Sequence, residues 1–162
     1  MSIFDSFKIK ETLEPRFWEE EKLKPEVRVK LLTIAKNFIA SLDLEEIGLE
    51  EKIKIVDITL TGSLANYNWS NYSDVDLHII YSDSFIKEEN KKLVEEYLQS
   101  KKLIWNLKHN IRLFGYEVEV YPQNSSTEHK SSGVYSVVNE KWIIKPSRKE
   151  FSVDKGLVSK KV

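Results

Sequence analysis

Asp74 and Asp76 stand two residues apart within the run Asp-Val-Asp-Leu-His-Ile-Ile-Tyr. The run reads as a β-strand. In a strand, residues i and i+2 share a face, so the two carboxylates project together. Like charges that close are costly unless a cation stands between them. Upstream, a β-branched alternating run, Ile53 to Thr61, ends at Gly62-Ser63. The chain must therefore build a strand, a tight turn, a polar aromatic loop and a second strand whose mouth carries two acids.

Further elements follow from local signals. Pro15 can open a short helix carrying Phe17 and Trp18. Pro25 opens a longer one. There Val27, Leu31, Ile34, Ala35, Phe38, Ile39 and Leu42 form one apolar stripe at helical spacing, and Gly48 stops the helical region. After the Asp-x-Asp strand, Ser82, Asp83 or Ser84 can cap a helix with Phe85 or Ile86, Leu93, Val94, Tyr97 and Leu98 on its core face. Leu103 to Leu107 continue it or form a second helical segment. Arg112 to Tyr121 read as a third strand with Gly115 as a bulge, ended by Pro122. Val134–Val138 and Lys141–Lys145 flank Asn139-Glu140 as a hairpin.

These elements predict a mixed α/β fold, a small central sheet flanked by helices. Its 162 residues suit one domain with a real core. We expect that domain over residues 1–145 and a basic, mobile tail over 146–162. Net charge is −1, so no global basic field points to nucleic acid or membrane. Cysteine is absent, which removes disulfides, thiol chemistry and Cys-based zinc sites. No apolar run approaches the roughly 20 residues of a spanning helix. The first residues mix charge and apolar groups too early for a signal peptide. The expectation is a soluble cytoplasmic protein with no membrane partner.

The chemistry lies in the turn and the acids. Gly62 permits a tight exit from the first strand and close approach to a phosphate. Ser63 adds a hydroxyl, and a short helix from Leu64 would turn its amides to the same anion. Glu117 and Glu119 share a face of the third strand, so either can complete a cluster with Asp74 and Asp76. Hard divalent ions such as Mg2+ take oxygen ligands from a few carboxylates plus substrate phosphates. Gly-Ser or Asp-x-Asp alone is common; in this strand–turn–strand–helix–acidic-strand order they are far more specific.

The segment from Ile53 to Pro122 resembles the nucleotidyltransferase superfamily of the DNA polymerase β type. Gly62, Ser63, Ala65, Ser73, Asp74 and Asp76 match the pattern of its smallest members, the minimal nucleotidyltransferases. More loosely, the chain is similar to stand-alone nucleotidyltransferase-like proteins of large tailed phages. In the family the third acid often precedes two residues and a proline. Glu119-Val120-Tyr121-Pro122 fits that arrangement, so the resemblance points to Glu119. Two departures stand out: Asn66-Tyr67 replace an Arg-Gly pair, and the third acid is Glu where Asp is common.

The resemblance implies transfer of a nucleoside monophosphate from a nucleoside triphosphate to a hydroxyl acceptor, with release of pyrophosphate. It implies Asp74, Asp76 and Glu119 as catalytic residues and ligands of Mg2+ or Mn2+. It implies Gly62, Ser63, Asn66 and Ser73 on the nucleotide side. A module that binds nucleotide, RNA or a partner protein without turnover is the alternative. The acceptor (nucleic acid, nucleotide, small molecule or protein) stays open. So little chain remains for an acceptor domain that a protein partner is possible.

Other side chains are weaker candidates. His78 faces the same side as Asp76 but is better read as a packed or surface residue. Tyr67, Trp69 and Tyr72 could stack on a base or rigidify the loop. Glu128-His129-Lys130 reads as a solvated loop, and no histidine pair has zinc-ligand spacing.

Overall fold

The computed structural model describes residues 9–148. Within them, β1 (Trp18–Glu19) and β2 (Lys22–Leu23) make a small hairpin. Then come α1 (Pro25–Ala40), β3 (Lys54–Thr61), β4 (Val75–Ser82), α2 (Lys91–Lys108), β5 (Arg112–Leu113), β6 (Tyr116–Asn124), β7 (Val134–Ser136) and β8 (Lys141–Ile144). Six strands form one sheet in the order β5-β6-β4-β3-β7-β8, in which β4 and β6 run parallel and the other pairs antiparallel. The fold is mixed α and β, as the sequence predicts.

The sheet has two unlike faces. Val75, Leu77 and Ile79 of β4, with Leu60, Val118 and Val120 beside them, are buried against Val27, Leu31 and Phe38 of α1. Each such side chain contributes about 1.5–3 kcal/mol when fully buried. Phe38 meets Trp105 of α2 edge to face at 5.6 Å, so both helices lie on this side. The alternate residues, including Thr59, Thr61, Asp76, His78, Glu119 and Tyr121, fall on the other face. No helix of the described residues is long and apolar enough to cross a membrane.

Several boundaries differ from expectation. Phe17 and Trp18 do not start a helix. They follow a turn in which the amides of Phe17 and Trp18 donate to the carbonyl of Glu14. Trp18 then stacks on Trp142 at 4.8 Å and meets Tyr135 edge-on at 5.0 Å. Contacts with the distant β7–β8 hairpin outweigh the local helix signal. Helix α1 ends at Ala40, and Gly48, at φ 78°, closes a separate 3-10 turn, Leu44–Ile47.

Helix α2 begins at Lys91, well after Ser82–Ser84. The carboxylate of Glu51 accepts from the Lys87 amide at 2.7 Å and from Asn90 Nδ2 at 2.8 Å, which fixes the preceding turn. No local signal reveals a capping group so far away in sequence. The helix is one piece through Lys108. Val94, Tyr97 and Leu98 are buried, whereas Leu93 is exposed.

Gly115 is not a bulge. With Phe114 it makes the tight turn between β5 and β6, at φ 54° and 85°, in the sense that suits a hairpin. Pro122 does not end the strand either, since β6 runs to Asn124. The Val118 amide donates to Ile111, and both Val120 backbone groups bond Asn106 of α2. These alternate groups point to the outer edge, away from β4. Pro122 falls in the same alternation, where a missing N–H breaks no ladder bond. The β7–β8 hairpin forms, with a turn wider than Asn139-Glu140: the Ser136 hydroxyl accepts from the Asn139 amide at 3.0 Å. Of the expected basic tail, residues 149–162 lie outside the described residues.

Candidate functional site

Strand register assembles the polar face. Thr61 pairs with Asp76 across the antiparallel β3–β4 ladder, and Asp76 pairs with Glu119 across the parallel β4–β6 ladder. Paired residues point the same way on strands about 4.8 Å apart. Thr61, Asp76 and Glu119 therefore form one row. Asp74 lies at the mouth of the same strand, more exposed than Asp76. Glu117 pairs with Arg112 of β5, and the two form an ion pair at 3.0 Å.

The acids repel. Burial, then Asp74 and Glu119, push the Asp76 carboxyl up to about 6. Asp74 is raised by burial first, then by Glu119 and Glu117. No cation balances the pair among the described residues. Glu119 instead accepts a short hydrogen bond from the Tyr121 hydroxyl, which is raised by burial, by that bond and by Asp76. With Glu119 so turned, no group of three His, Cys, Asp or Glu side chains among the described residues converges closely enough to hold a metal ion. The backbone brings the three acids together; their side chains stand apart. Asp74 and Asp76, adjacent and short of positive charge, suit a divalent cation. Glu119 could join them by leaving Tyr121.

The Gly-Ser turn abuts the acids. Gly62 has φ 78° and ψ −166°, a region open essentially to glycine. A β-carbon there would also collide with Asp76 Oδ2. Ser63 begins a single 3-10 turn, Ser63–Ala65. Its hydroxyl donates to Ser73 Oγ at 2.6 Å, and Ser73 Oγ accepts from the Ser70 amide at 2.9 Å. These serines fasten the turn to the start of β4. Asn66 is buried and its Nδ2 donates to Ser132 Oγ at 2.6 Å. It ties the turn to the loop at Gly133, where a β-carbon would collide with the Ala65 carbonyl. Asn66 thus serves the loop's architecture in this structure.

The aromatic loop divides. Tyr67 is buried, Trp69 donates from Nε1 to the Thr12 carbonyl at 2.9 Å, and Tyr72 is exposed. His78 is packed, with Nδ1 2.7 Å from Gln123 Oε1 and its ring 5.1 Å from that of Tyr121. Burial lowers its pKa. His109 stacks on Trp105, whereas Glu128 and Lys130 are exposed and His129 is partly buried, all three on the rim of a cleft that His78 also lines. Sequence reasoning passed over Tyr121, yet its place two residues after Glu119 in an alternating strand already put both on one face.

No curated protein and no solved structure matches the chain. A family model described as a nucleotidyltransferase domain matches residues 43–141, which span β3, the Gly-Ser turn, β4, α2, β6 and β7. That match covers more than half of the chain, and the chain belongs to the nucleotidyltransferase domain family.

Proposed function

We propose that this protein transfers a nucleoside monophosphate from a nucleoside triphosphate to a hydroxyl acceptor. The observation that carries this reading is the row Thr61–Asp76–Glu119, with Asp74 at its mouth and the side-chain-free Gly62 against Asp76. Asp74 and Asp76 would hold Mg2+ or Mn2+, and Glu119 would complete the set or act as base toward the acceptor hydroxyl. When bound, the ion supplies charge stabilisation to the phosphoryl oxygens. Gly62 lets the turn pack directly against the Asp76 carboxylate, and the Ser63–Ser73 link holds the turn in place. The acceptor oxygen attacks the α-phosphorus, the α–β bridging bond breaks, and pyrophosphate leaves with the electron pair. Glu119 takes the acceptor's proton, and the Tyr121 hydroxyl holds that carboxylate beforehand.

The second reading is a nucleotide-binding module without turnover. The observation in its favour is that Glu119 is engaged with Tyr121 and three acids do not converge. Calorimetric titration with a panel of nucleotides, with and without Mg2+ or Mn2+, checks that triphosphate binding depends on the metal. Incubation with labelled triphosphate and candidate acceptors then separates the readings. Metal-dependent labelling with pyrophosphate release supports the enzyme; binding without either supports the module.

A further inference from the structure

A cleft of about 280 Å³ opens on the same sheet face, one row beyond the acids, and its lining includes His78, Lys102, Tyr121, Gln123, His129 and Lys130. Tyr121 is the divide between the two regions. Its hydroxyl faces Glu119, while its ring lies against His78 and under Lys102, whose Nζ is 4.6 Å from the ring centroid. On one side of that ring stand Asp76 and Glu119; on the other stand Lys102, Lys130, two imidazoles and the single carboxylate of Glu128. The two lysines outnumber the one carboxylate of the lining, in a chain whose net charge is −1. It also offers aromatic walls and an amide, the usual furniture of a small-ligand site.

Resting on the nucleotidyl-transfer reading, we infer that this cleft is the acceptor subsite and takes a small phosphorylated acceptor of mononucleotide size. Lys102 and Lys130 receive the acceptor's phosphate, and the Tyr121–His78 pair flanks its body. Its hydroxyl then reaches past the Tyr121 ring toward Glu119. The acceptor's O–H gives its proton to Glu119, a new bond forms to the α-phosphorus of the triphosphate, and pyrophosphate departs.

The test is a titration of the full chain with Mg2+ and a saturating α,β-methylene nucleoside triphosphate, which cannot transfer. Nucleoside monophosphates are then compared with the matching nucleosides and with a short 5′-phosphorylated oligonucleotide. The monophosphate should bind at least tenfold tighter than the nucleoside and no weaker than the oligonucleotide. In the Lys102→Met, Lys130→Met variant that preference should fall below threefold, with affinity for the triphosphate analogue unchanged. Equal binding of nucleoside and monophosphate overturns the assignment and leaves the nucleotidyl reading standing. So does a loss of analogue affinity in the variant, which would give the cleft to the triphosphate. Tighter binding of the oligonucleotide overturns the small-acceptor assignment in favour of a nucleic-acid end. Absence of metal-dependent analogue binding by the unaltered chain overturns the nucleotidyl reading, and this assignment with it.

Discussion

Asp76 Oδ2 occupies the place that a β-carbon on Gly62 would need. The glycine is thus required twice, by its backbone conformation and by its neighbour's carboxylate. Gly62→Ala should destabilise the protein by roughly 1–3 kcal/mol, the usual cost of a strained backbone position. Part of that cost is the collision itself. In an Asp76→Ala background, Gly62→Ala should therefore cost measurably less, with a coupling of about 0.5 kcal/mol or more in a double-mutant cycle. Denaturant unfolding of the four proteins gives the answer. Strict additivity would mean that the two residues do not touch in solution.

Asp76→Asn should stabilise the metal-free protein while removing transfer activity. Its carboxylate is half-buried beside Asp74 and Glu119, and its pKa is pushed up to about 6. Keeping it ionised at pH 7 opposes folding by roughly 1–2 kcal/mol once solvent screening is allowed for. Asparagine removes that cost. Millimolar Mg2+ should raise the melting temperature of the wild-type protein and have little effect on the variant, because a ligand stabilises only the state that binds it. A variant less stable than wild type in EDTA would show that the carboxylate has a structural partner.

The site's parts were legible because each rests on local chemistry. Gly62-Ser63 marks a turn, Asp74 and Asp76 alternate in a strand, and both facts hold whatever the rest of the fold does. What was not legible depends on partners distant in sequence. The choice between Glu117 and Glu119 is invisible to period-two alternation, whereas pairing separates them: Glu119 lies level with Asp76 and Glu117 level with Arg112. The hairpin at Trp18 needs Tyr135 and Trp142, and the delayed start of α2 needs Glu51. The Glu119 carboxylate turns to the Tyr121 hydroxyl, and period-two alternation gives the shared face but not which neighbour on it a side chain takes.

Glu14 gives a test far from the acids. Burial pushes its carboxyl up, but hydrogen bonds from Arg16 and Tyr116 outweigh that and leave it below the ordinary value. Its Oε2 accepts from Arg16 Nη2 at 2.7 Å and from the Tyr116 hydroxyl at 2.6 Å. The unfolded chain therefore binds a proton more readily. The stabilisation is fully present above the unfolded carboxylate range, about pH 4–5, and is lost as pH falls through the folded value. Glu14→Gln should cost about 1.5–3 kcal/mol at pH 7, the range for hydrogen bonds to a charged group. The gap between variant and wild type should narrow as the pH is lowered to 3. A gap independent of pH would assign the loss to packing.

The last prediction separates the two glutamates of β6. Glu117 is half-exposed and paired with Arg112 at 3.0 Å. Removing that charge should alter stability by at most about 1 kcal/mol and leave turnover near wild type. Glu119 stands in the row with Asp76, and its carboxylate is held by Tyr121. Glu119→Gln should lower turnover at least a hundredfold, the lower end of the contribution of a positioned acid–base group. Binding of the metal–triphosphate complex should survive in part through Asp74 and Asp76. Tyr121→Phe discriminates further, because it frees Glu119 without removing it. If the Tyr121 bond holds the carboxylate away from the cation, this variant should bind Mg2+ more tightly than wild type. If Glu119→Gln and Glu117→Gln turn over alike, the third strand carries no catalytic acid, and the nucleotide-binding module becomes the better account of this site.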